Sequence, residues 1–256
     1  VIGADCVQIF GSSPRQWRTR TLVCPEATAY RVAAKGFGPT YLHAAYLVNL
    51  GSAESELYER SVRSLSEHLA IAEKIGAEGL IFHIGSANGV AKKEAFGRVR
   101  DGMRRVLASV RGGPRLIMEN SGSVKKIGSH LAELGRLLRA IRSPRVQVCI
   151  DTAHAFEAGI IRSYTPSDIA AFLAELEEEI GIDRVAVLHV NDSRTPWNSQ
   201  RDQHENIGEG AIGIEGFRNL ARVASLRNAA WILEVPGFDG AGPDSENVRR
   251  IRSCFV

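Results

Sequence analysis

The chain has 256 residues, which at roughly 150 residues per domain fits one large domain or two small ones. Apolar residues make up 44% of the sequence and charged residues 24%, a balance that excludes a disordered or fibrous protein. The 32 basic and 29 acidic residues give a net charge of +3, too small an excess to identify an anionic partner.

The cysteine spacing argues against a disulfide scaffold or a cysteine-rich zinc site. Cys6, Cys24, Cys149 and Cys254 are scattered and form no CxxC pair. Any metal must therefore be held by histidines and carboxylates. No apolar run approaches the ~18 residues of a membrane span, and no signal-peptide pattern opens the chain. We expect a cytoplasmic protein with no membrane partner.

Seven short apolar runs recur along the chain, each followed by a loop and a segment with helical spacing. They cover residues 6–10, 40–44, 79–83, 115–119, 147–151, 185–190 and 231–234. This alternation predicts βα units around a parallel sheet. Units of about 30 residues favour a (β/α)₈ TIM barrel, because an open sheet would carry a glycine-rich phosphate turn that is not found here.

No linker, repeat or charged tail divides these units, so we expect residues 1–256 to form a single domain. The first βα unit of the barrel would be absent in front of Val1, and we expect the chain to be less stable than a version with that unit restored. Helical spacing predicts that one helix ends at Gly76, that another runs from Ile127 to Ile141, and that Thr165 and Pro166 begin a further one. Two histidines outside the runs, His68 and His130, are expected at solvated helix positions.

Histidines and acids concentrate where the apolar runs end. A single histidine there is usually a packed core or surface residue, and a single acid is usually a helix cap or half of an ion pair. Here nine such residues occur at a run end, within three residues of one, or in the long irregular segment 192–215. They are His43, His83, Glu119, Asp151, His154, His189, Asp202, His204 and Glu234. The carboxyl ends of parallel barrel strands converge on one rim, where four acids would repel one another unless cations neutralise them.

Imidazole and carboxylate without thiolate suit Zn²⁺, Mn²⁺ or Fe. Nine candidates exceed the needs of one ion, so two or three ions are implied, an arrangement typical of phosphoester hydrolysis. The blocks HAAYLVNLGS, FHIGS, MENSGS, CIDTAHAFEAG, LHVNDS, DQHENIGEG and LEVPG resemble, in order, the signature blocks of endonuclease IV. The resemblance covers about nine-tenths of the chain. It implies a zinc-dependent DNA repair enzyme that cuts 5′ to apurinic or apyrimidinic sites.

The resemblance further implies three Zn²⁺ ions per chain, with Mn²⁺ an alternative at some positions. One ion would take His43, His83 and Glu119; a second would share Glu119 and take Asp151, His189 and Glu234; the third would take His154, Asp202 and His204. Glu119 and Glu234 would be the catalytic residues, Glu234 orienting the nucleophile. The products would be a 3′-hydroxyl and a 5′-deoxyribose phosphate.

By the same resemblance, Arg15, Tyr46 and Leu47 fill the gap in the DNA when the abasic nucleotide is turned out. The alternatives are that Tyr46 and Leu47 are ordinary core residues and that Arg15 is a solvated charge. The expected partner is double-stranded DNA containing abasic sites, bound by a monomer. Trp197 stays unassigned, and Asn49, Asn120 and Asn191 are equally consistent with loop caps and with supports for metal ligands.

Two other functions remain open. A metal-dependent sugar isomerase or epimerase of the related barrels also uses histidines and acids at strand ends, but generally with one or two ions and a catalytic lysine or paired glutamates. The third ligand set and the group formed by Arg15, Tyr46 and Leu47 favour the nuclease. A damaged-DNA binding protein that has lost catalysis is the non-enzymatic alternative, and the presence of all nine ligands argues against it.

Overall fold

A computed structural model of the chain describes residues 2–19 and 22–255. The chain divides into two compact units. The N-terminal unit comprises Asp5–Glu119 and Arg136–Gln147. The C-terminal unit comprises Val1–Ala4, Asn120–Gly135 and Val148–Val256. In the described part of the chain, no helix has both the length and the apolar character needed to cross a bilayer.

The N-terminal unit is built from alternating strands and helices. Its elements are β1 (Val7–Phe10), α1 (Cys24–Ala33), β2 (Thr40–His43), α2 (Ser55–Ile75), β3 (Gly79–His83), α3 (Lys92–Ser109) and β4 (Arg115–Glu119). The four strands pair in sequence order, and every pair is parallel. The predicted βα alternation is therefore confirmed in this unit, with strand ends within one residue of the predicted runs.

The register of these strands places three candidate ligands at neighbouring positions. His43, His83 and Glu119 are the last residues of β2, β3 and β4. His83 pairs directly with Glu119 across β3 and β4. Because parallel strands end at the same edge of their sheet, the three side chains share that edge.

Helix α2 confirms one sequence prediction and corrects another. It ends at Gly76, whose φ of 75° is the left-handed conformation that glycine adopts without strain. His68 was expected to be solvated, but it is buried, and its Nδ1 lies 2.7 Å from the carbonyl oxygen of Ser64. Desolvation lowers the pKa of His68 below its ordinary value, so burial favours the neutral ring. The prediction was wrong because a hydrogen bond within the helix satisfies the ring and allows it to be buried.

The C-terminal unit contains the remaining strands and helices. Two elements, helix α4 (Leu131–Ile141) and strand β5 (Val146–Asp151), have residues assigned to each unit. The elements after them belong to the C-terminal unit: α5 (Thr152–Glu157), α6 (Pro166–Glu179), β6 (Val185–His189), β7 (Asp192–Ser193), β8 (His204–Glu205), α7 (Gly213–Ala221), β9 (Ala230–Ile232) and α8 (Ser245–Arg252). Strands β5, β6 and β9 are parallel and neighbours in that order. Thr165 caps α6 with Pro166 in its first turn, as the sequence predicts.

Two predictions near α4 need correction. Ile127 is buried but lies before the helix, which begins at Leu131. His130 is exposed, as expected, but it also precedes α4 and is not a helix residue. Ile127 is buried like the apolar residues of α4, although it lies in the turn before the helix. Apolar spacing alone therefore does not locate the start of the helix.

The irregular segment 192–215 contains a short antiparallel pair, β7 and β8, with Ser193 opposite His204. The buried carboxylate of Asp192 organises the rest, because it accepts hydrogen bonds from the backbone amides of Ser193, Gly208, Gly210, Ile212 and Gly213. A Cβ atom on Gly210 would lie 2.4 Å from the carbonyl oxygen of Ser193, so only glycine fits there. Asp192 thus ties the backbone of residues 208–213 to the start of the segment.

Candidate metal centre

The first cluster of ligand-type side chains belongs to the N-terminal unit. His43 and Glu119 are buried, and Nε2 of His43 lies 3.1 Å from Oε2 of Glu119. Nδ1 of His83 lies 3.6 Å from the same oxygen. One ligand atom from each of the three residues falls within 4.8 Å of the others. This is the spacing that a single bound cation requires.

An aromatic group surrounds this cluster. The Tyr46 ring contacts His43 edge-on at 5.7 Å between centroids and lies 6.3 Å from the His83 ring. Phe10, the last residue of β1, contacts both His43 and Tyr46 edge-on. Sequence analysis missed Phe10, although an aromatic residue at the end of an apolar run was the available signal.

The predicted DNA-contacting residues are on the surface of the N-terminal unit. Tyr46 is 52% exposed and Leu47 36%, so neither is an ordinary core residue. Arg15 is exposed, and its loop is joined to Tyr46 by a hydrogen bond from the Tyr46 amide to the Pro14 carbonyl. The three residues therefore lie on one surface region of this unit, beside the first cluster.

The second group of ligands lies in the C-terminal unit. Nδ1 of His189 is 3.1 Å from Oε2 of Glu234 and 3.9 Å from Oδ2 of Asp151. Asp151 and His189 are fully buried and paired across β5 and β6, whereas Glu234 follows β9 and is half-buried. The predicted run 231–234 ends beyond the strand, since β9 stops at Ile232.

Two asparagines hold this second group in place. Asn191 donates to Oδ2 of Asp151 at 2.7 Å and accepts from the Glu234 amide at 2.7 Å. Asn120 accepts from the Asp151 amide at 2.6 Å. Both asparagines therefore hold candidate ligands in place. Asn49 instead accepts from the amides of Gly51 and Ser86, as a loop cap does.

The third group also lies in the C-terminal unit and contains Asp202. Oδ1 of Asp202 lies 3.2 Å from Nε2 of His154 and 3.8 Å from Nε2 of His204. Burial opposes ionisation of Asp202, but when the His154 ring is protonated, its interaction with Asp202 and the nearby charges of His204 and Lys126 together hold the pKa of Asp202 well below its ordinary value. Asp151 adjoins this group, with its Oδ2 3.5 Å from Nε2 of His204.

Backbone carbonyls fix the orientation of three of the candidate histidines. Nδ1 of His43 lies 2.8 Å from the Ala44 oxygen, Nδ1 of His154 lies 3.0 Å from the Asn120 oxygen, and Nδ1 of His204 lies 3.3 Å from the Glu234 oxygen. A carbonyl oxygen only accepts, so each Nδ1 carries the hydrogen and each Nε2 of the neutral ring carries a lone pair. Those lone pairs face carboxylate oxygens, an arrangement that a cation between them stabilises.

The donor set fits a divalent transition metal. Nε2 of His204 is buried and makes no hydrogen bond to any residue that the structure describes. The ligand atoms are imidazole nitrogens and carboxylate oxygens, the donors that zinc and similar ions take. Within the N-terminal unit His43, His83 and Glu119, and within the C-terminal unit Asp151, His154 and His204, each offer ligand atoms that lie within 4.8 Å of one another; Asp202 is not part of the latter group. The side chains therefore offer metal sites in both units.

Two further buried acids were missed by the sequence analysis. They are Asp192, described above, and Glu157 at the end of α5. Burial raises the pKa of each, although hydrogen bonds to both carboxylates oppose the shift. Asp192 lies in the block LHVNDS and Glu157 in the block CIDTAHAFEAG. Most of their hydrogen-bond donors are distant in sequence, so residue spacing did not indicate that either carboxylate is buried.

Comparison with known proteins bears on both the fold and the family. Residues 2–254 match the family described as the xylose isomerase-like TIM barrel. An endonuclease 4 of Thermus thermophilus is 37% identical over 257 residues, 98% of this chain and 89% of the relative. The probable endonuclease 4 of Halothermothrix orenii is 33% identical over 255 residues, 98% of this chain and 91% of the relative.

The chain belongs to the endonuclease IV family. Among solved structures, a crystal structure of endonuclease IV from Thermus thermophilus superposes with a TM-score of 0.86 at 36% identity, covering 99% of this chain and 90% of that one. This member of the endonuclease IV family therefore has the TIM-barrel fold that its alternating strands and helices predict.

Proposed function

We propose that this chain is a metal-dependent repair endonuclease that hydrolyses the phosphodiester 5′ to an apurinic or apyrimidinic site. The observation that carries the proposal is that the Nε2 atoms of His43, His154 and His204 lie 3.1, 3.2 and 3.5 Å from carboxylate oxygens, while a backbone carbonyl holds each Nδ1. Membership of the endonuclease IV family supplies the reaction class, since its relatives bear the name endonuclease 4.

We further propose that the nine ligands form one centre within a single domain of residues 1–256. In a TIM barrel the carboxyl ends of the strands converge on one face, and His43, His83, Glu119, Asp151 and His189 each end a strand. The proposed assignment is the one that the family resemblance implies. His43, His83 and Glu119 hold one zinc ion; Glu119, Asp151, His189 and Glu234 hold a second; His154, Asp202 and His204 hold a third.

When bound, the ions would polarise the scissile phosphate, activate water as a nucleophile and stabilise the leaving oxygen. The protein positions the reacting groups. The Glu234 carboxylate is half-buried and lies 3.1 Å from Nδ1 of His189, so it is accessible to orient a water molecule toward phosphorus. The side-chain oxygen of Asn191 accepts a hydrogen bond from the Glu234 backbone amide and so fixes the backbone of Glu234. The expected products are a 3′-hydroxyl end and a 5′-deoxyribose phosphate.

The surface formed by Arg15, Tyr46 and Leu47 would fill the gap left when the abasic nucleotide turns out of the duplex. Turning out is least costly at a site that has already lost its base, because no base stacking is broken. The exposed Tyr46 ring can stack on a neighbouring base, while the exposed Arg15 guanidinium can pair with a phosphate.

Tyr46→Ala is expected to raise KM for a duplex with one abasic site by roughly 10- to 100-fold, because stacking on a base contributes about 1–3 kcal/mol. Tyr46→Phe, which keeps the ring and its contacts with His43 and His83, is the matched control and should stay near wild type. Steady-state cleavage kinetics measure both. An unchanged KM for Tyr46→Ala would remove this residue from the DNA surface.

The direct test of the proposed function is cleavage of a duplex bearing one tetrahydrofuran abasic analogue by the zinc-loaded protein. A nick 5′ to the lesion with a 3′-hydroxyl end supports the nuclease. Intact DNA together with turnover of a ketose would identify a sugar isomerase instead. Tight lesion binding without a nick would identify a damage-binding protein.

A further inference from the structure

We propose that Glu157 is a positioning residue. It holds the loop of residues 193–204, which carries Asp202 and ends at His204 in β8, against His154. This inference rests on the proposed function, because it concerns the third ligand group of that site. Glu157 is the last residue of α5 and its side chain is fully buried. It lies one helical turn after His154, so the two side chains belong to the same rigid element.

The Glu157 carboxylate holds both ends of the loop. Its Oε1 lies 2.7 Å from Oγ of Ser193 and 3.3 Å from Oγ1 of Thr195, which begin the loop. The same oxygen accepts the backbone amide of Gln203 at 3.2 Å. Gln203 stands between the ligands Asp202 and His204, so this amide bond fixes the backbone on which both ligands are carried.

Carbonyl oxygens at the end of α5 hold the middle of the loop. The Phe156 oxygen accepts the Asn198 amide at 3.1 Å, and the Glu157 oxygen accepts the Gln200 amide at 3.0 Å. The last carbonyls of a helix lack partners within it, and here the loop supplies them. Asn198 and Gln200 adopt left-handed backbone conformations, with φ of 57° and 62°, which non-glycine residues keep only when the surroundings impose them.

The consequence is a fixed distance between ligands on separate elements. His154 is carried by α5, whereas Asp202 is carried by the loop, yet Nε2 and Oδ1 lie 3.2 Å apart. Glu157 connects the two elements through a side chain that is not itself among the predicted ligands. Groups that hold metal ligands in place typically contribute about 10- to 100-fold to metal affinity. Glu157 therefore sets the affinity of the third metal position.

The test compares Glu157→Ala with Glu157→Gln, which keeps an acceptor oxygen for the loop. In competition with a zinc chelator, Glu157→Ala should bind its weakest zinc equivalent about 10- to 100-fold less tightly than wild type. The amides of Asn198, Gln200 and Gln203 should exchange faster with deuterium in its metal-free form. kcat for the tetrahydrofuran duplex should fall while KM stays unchanged. Glu157→Gln should restore all three properties.

Glu177→Ala is the matched control, because the exposed Glu177 carboxylate also accepts a backbone amide, that of Ile182 at 2.8 Å, but holds no ligand loop. Wild-type zinc affinity and exchange in Glu157→Ala would overturn the inference, as would a Glu157→Gln variant as impaired as Glu157→Ala. Should Glu157→Ala fail to fold, Ser193→Ala removes the shortest of the three hydrogen bonds and gives the same test. A wild-type protein that binds zinc but leaves DNA intact would refute the proposed function alone, since zinc affinity and exchange do not depend on cleavage.

Discussion

Glu119→Gln is expected to lower the cleavage rate of abasic DNA by about 10³-fold or more. The substitution keeps the size of the buried side chain but removes the negative charge that faces His43 and His83. Metal ions contribute several kcal/mol to the stabilisation of a phosphoryl transition state, and each 1.36 kcal/mol corresponds to a factor of ten in rate. Single-turnover cleavage of a tetrahydrofuran duplex, together with the zinc content of each sample, measures the effect.

Glu56→Gln is the control for this substitution, because Glu56 is an exposed carboxylate on α2 that pairs with Arg60. It should cleave at the wild-type rate. Zinc content distinguishes the causes of the loss, since a Glu119→Gln protein that has also lost zinc identifies Glu119 as a ligand. A variant that cleaves within a few-fold of wild type would exclude Glu119 from the centre.

Removal of the metals is expected to weaken binding to abasic DNA as well as to abolish cleavage. The proposed centre contains four carboxylates, from Glu119, Asp151, Asp202 and Glu234, and without cations their charge repels a phosphodiester. Local potentials of several kT correspond to roughly 10- to 100-fold in affinity. Fluorescence anisotropy with a labelled tetrahydrofuran duplex, at one fixed salt concentration, compares the chelated and zinc-reloaded proteins.

A lesion-free duplex is the control for that comparison, because its phosphates need not enter the centre and its affinity should change less on metal removal. Recovery on reloading with zinc separates the charge effect from unfolding. Equal affinity of the chelated and reloaded proteins for abasic DNA would contradict the proposed neutralisation of the carboxylates by metal.

The strands, and the histidines and acids at their ends, could be predicted because their signals are local. A buried strand is a short apolar run, and a charged residue at its end is conspicuous, as at Glu119 and Asp151. The boundary at Gly76 was predictable for the same reason, since glycine is the residue that tolerates the left-handed conformation closing α2.

The rest depends on contacts between residues far apart in sequence. Glu157 accepts from Gln203, 46 positions later, and Asp192 accepts from amides up to 21 positions away. Nothing beside either acid indicates these donors, so sequence spacing did not identify them. His68 shows the opposite difficulty, because its partner Ser64 is local, but a polar residue beside an apolar stripe is ordinarily solvated.

Anomalous diffraction at the zinc edge, from crystals of this protein grown with zinc, shows directly whether the nine candidate side chains bind metal. We expect three anomalous peaks per chain, one of them in contact with His154, Asp202 and His204 together. Crystals that show no peak among the nine side chains, or in which these three side chains turn away from one another, would contradict this expectation.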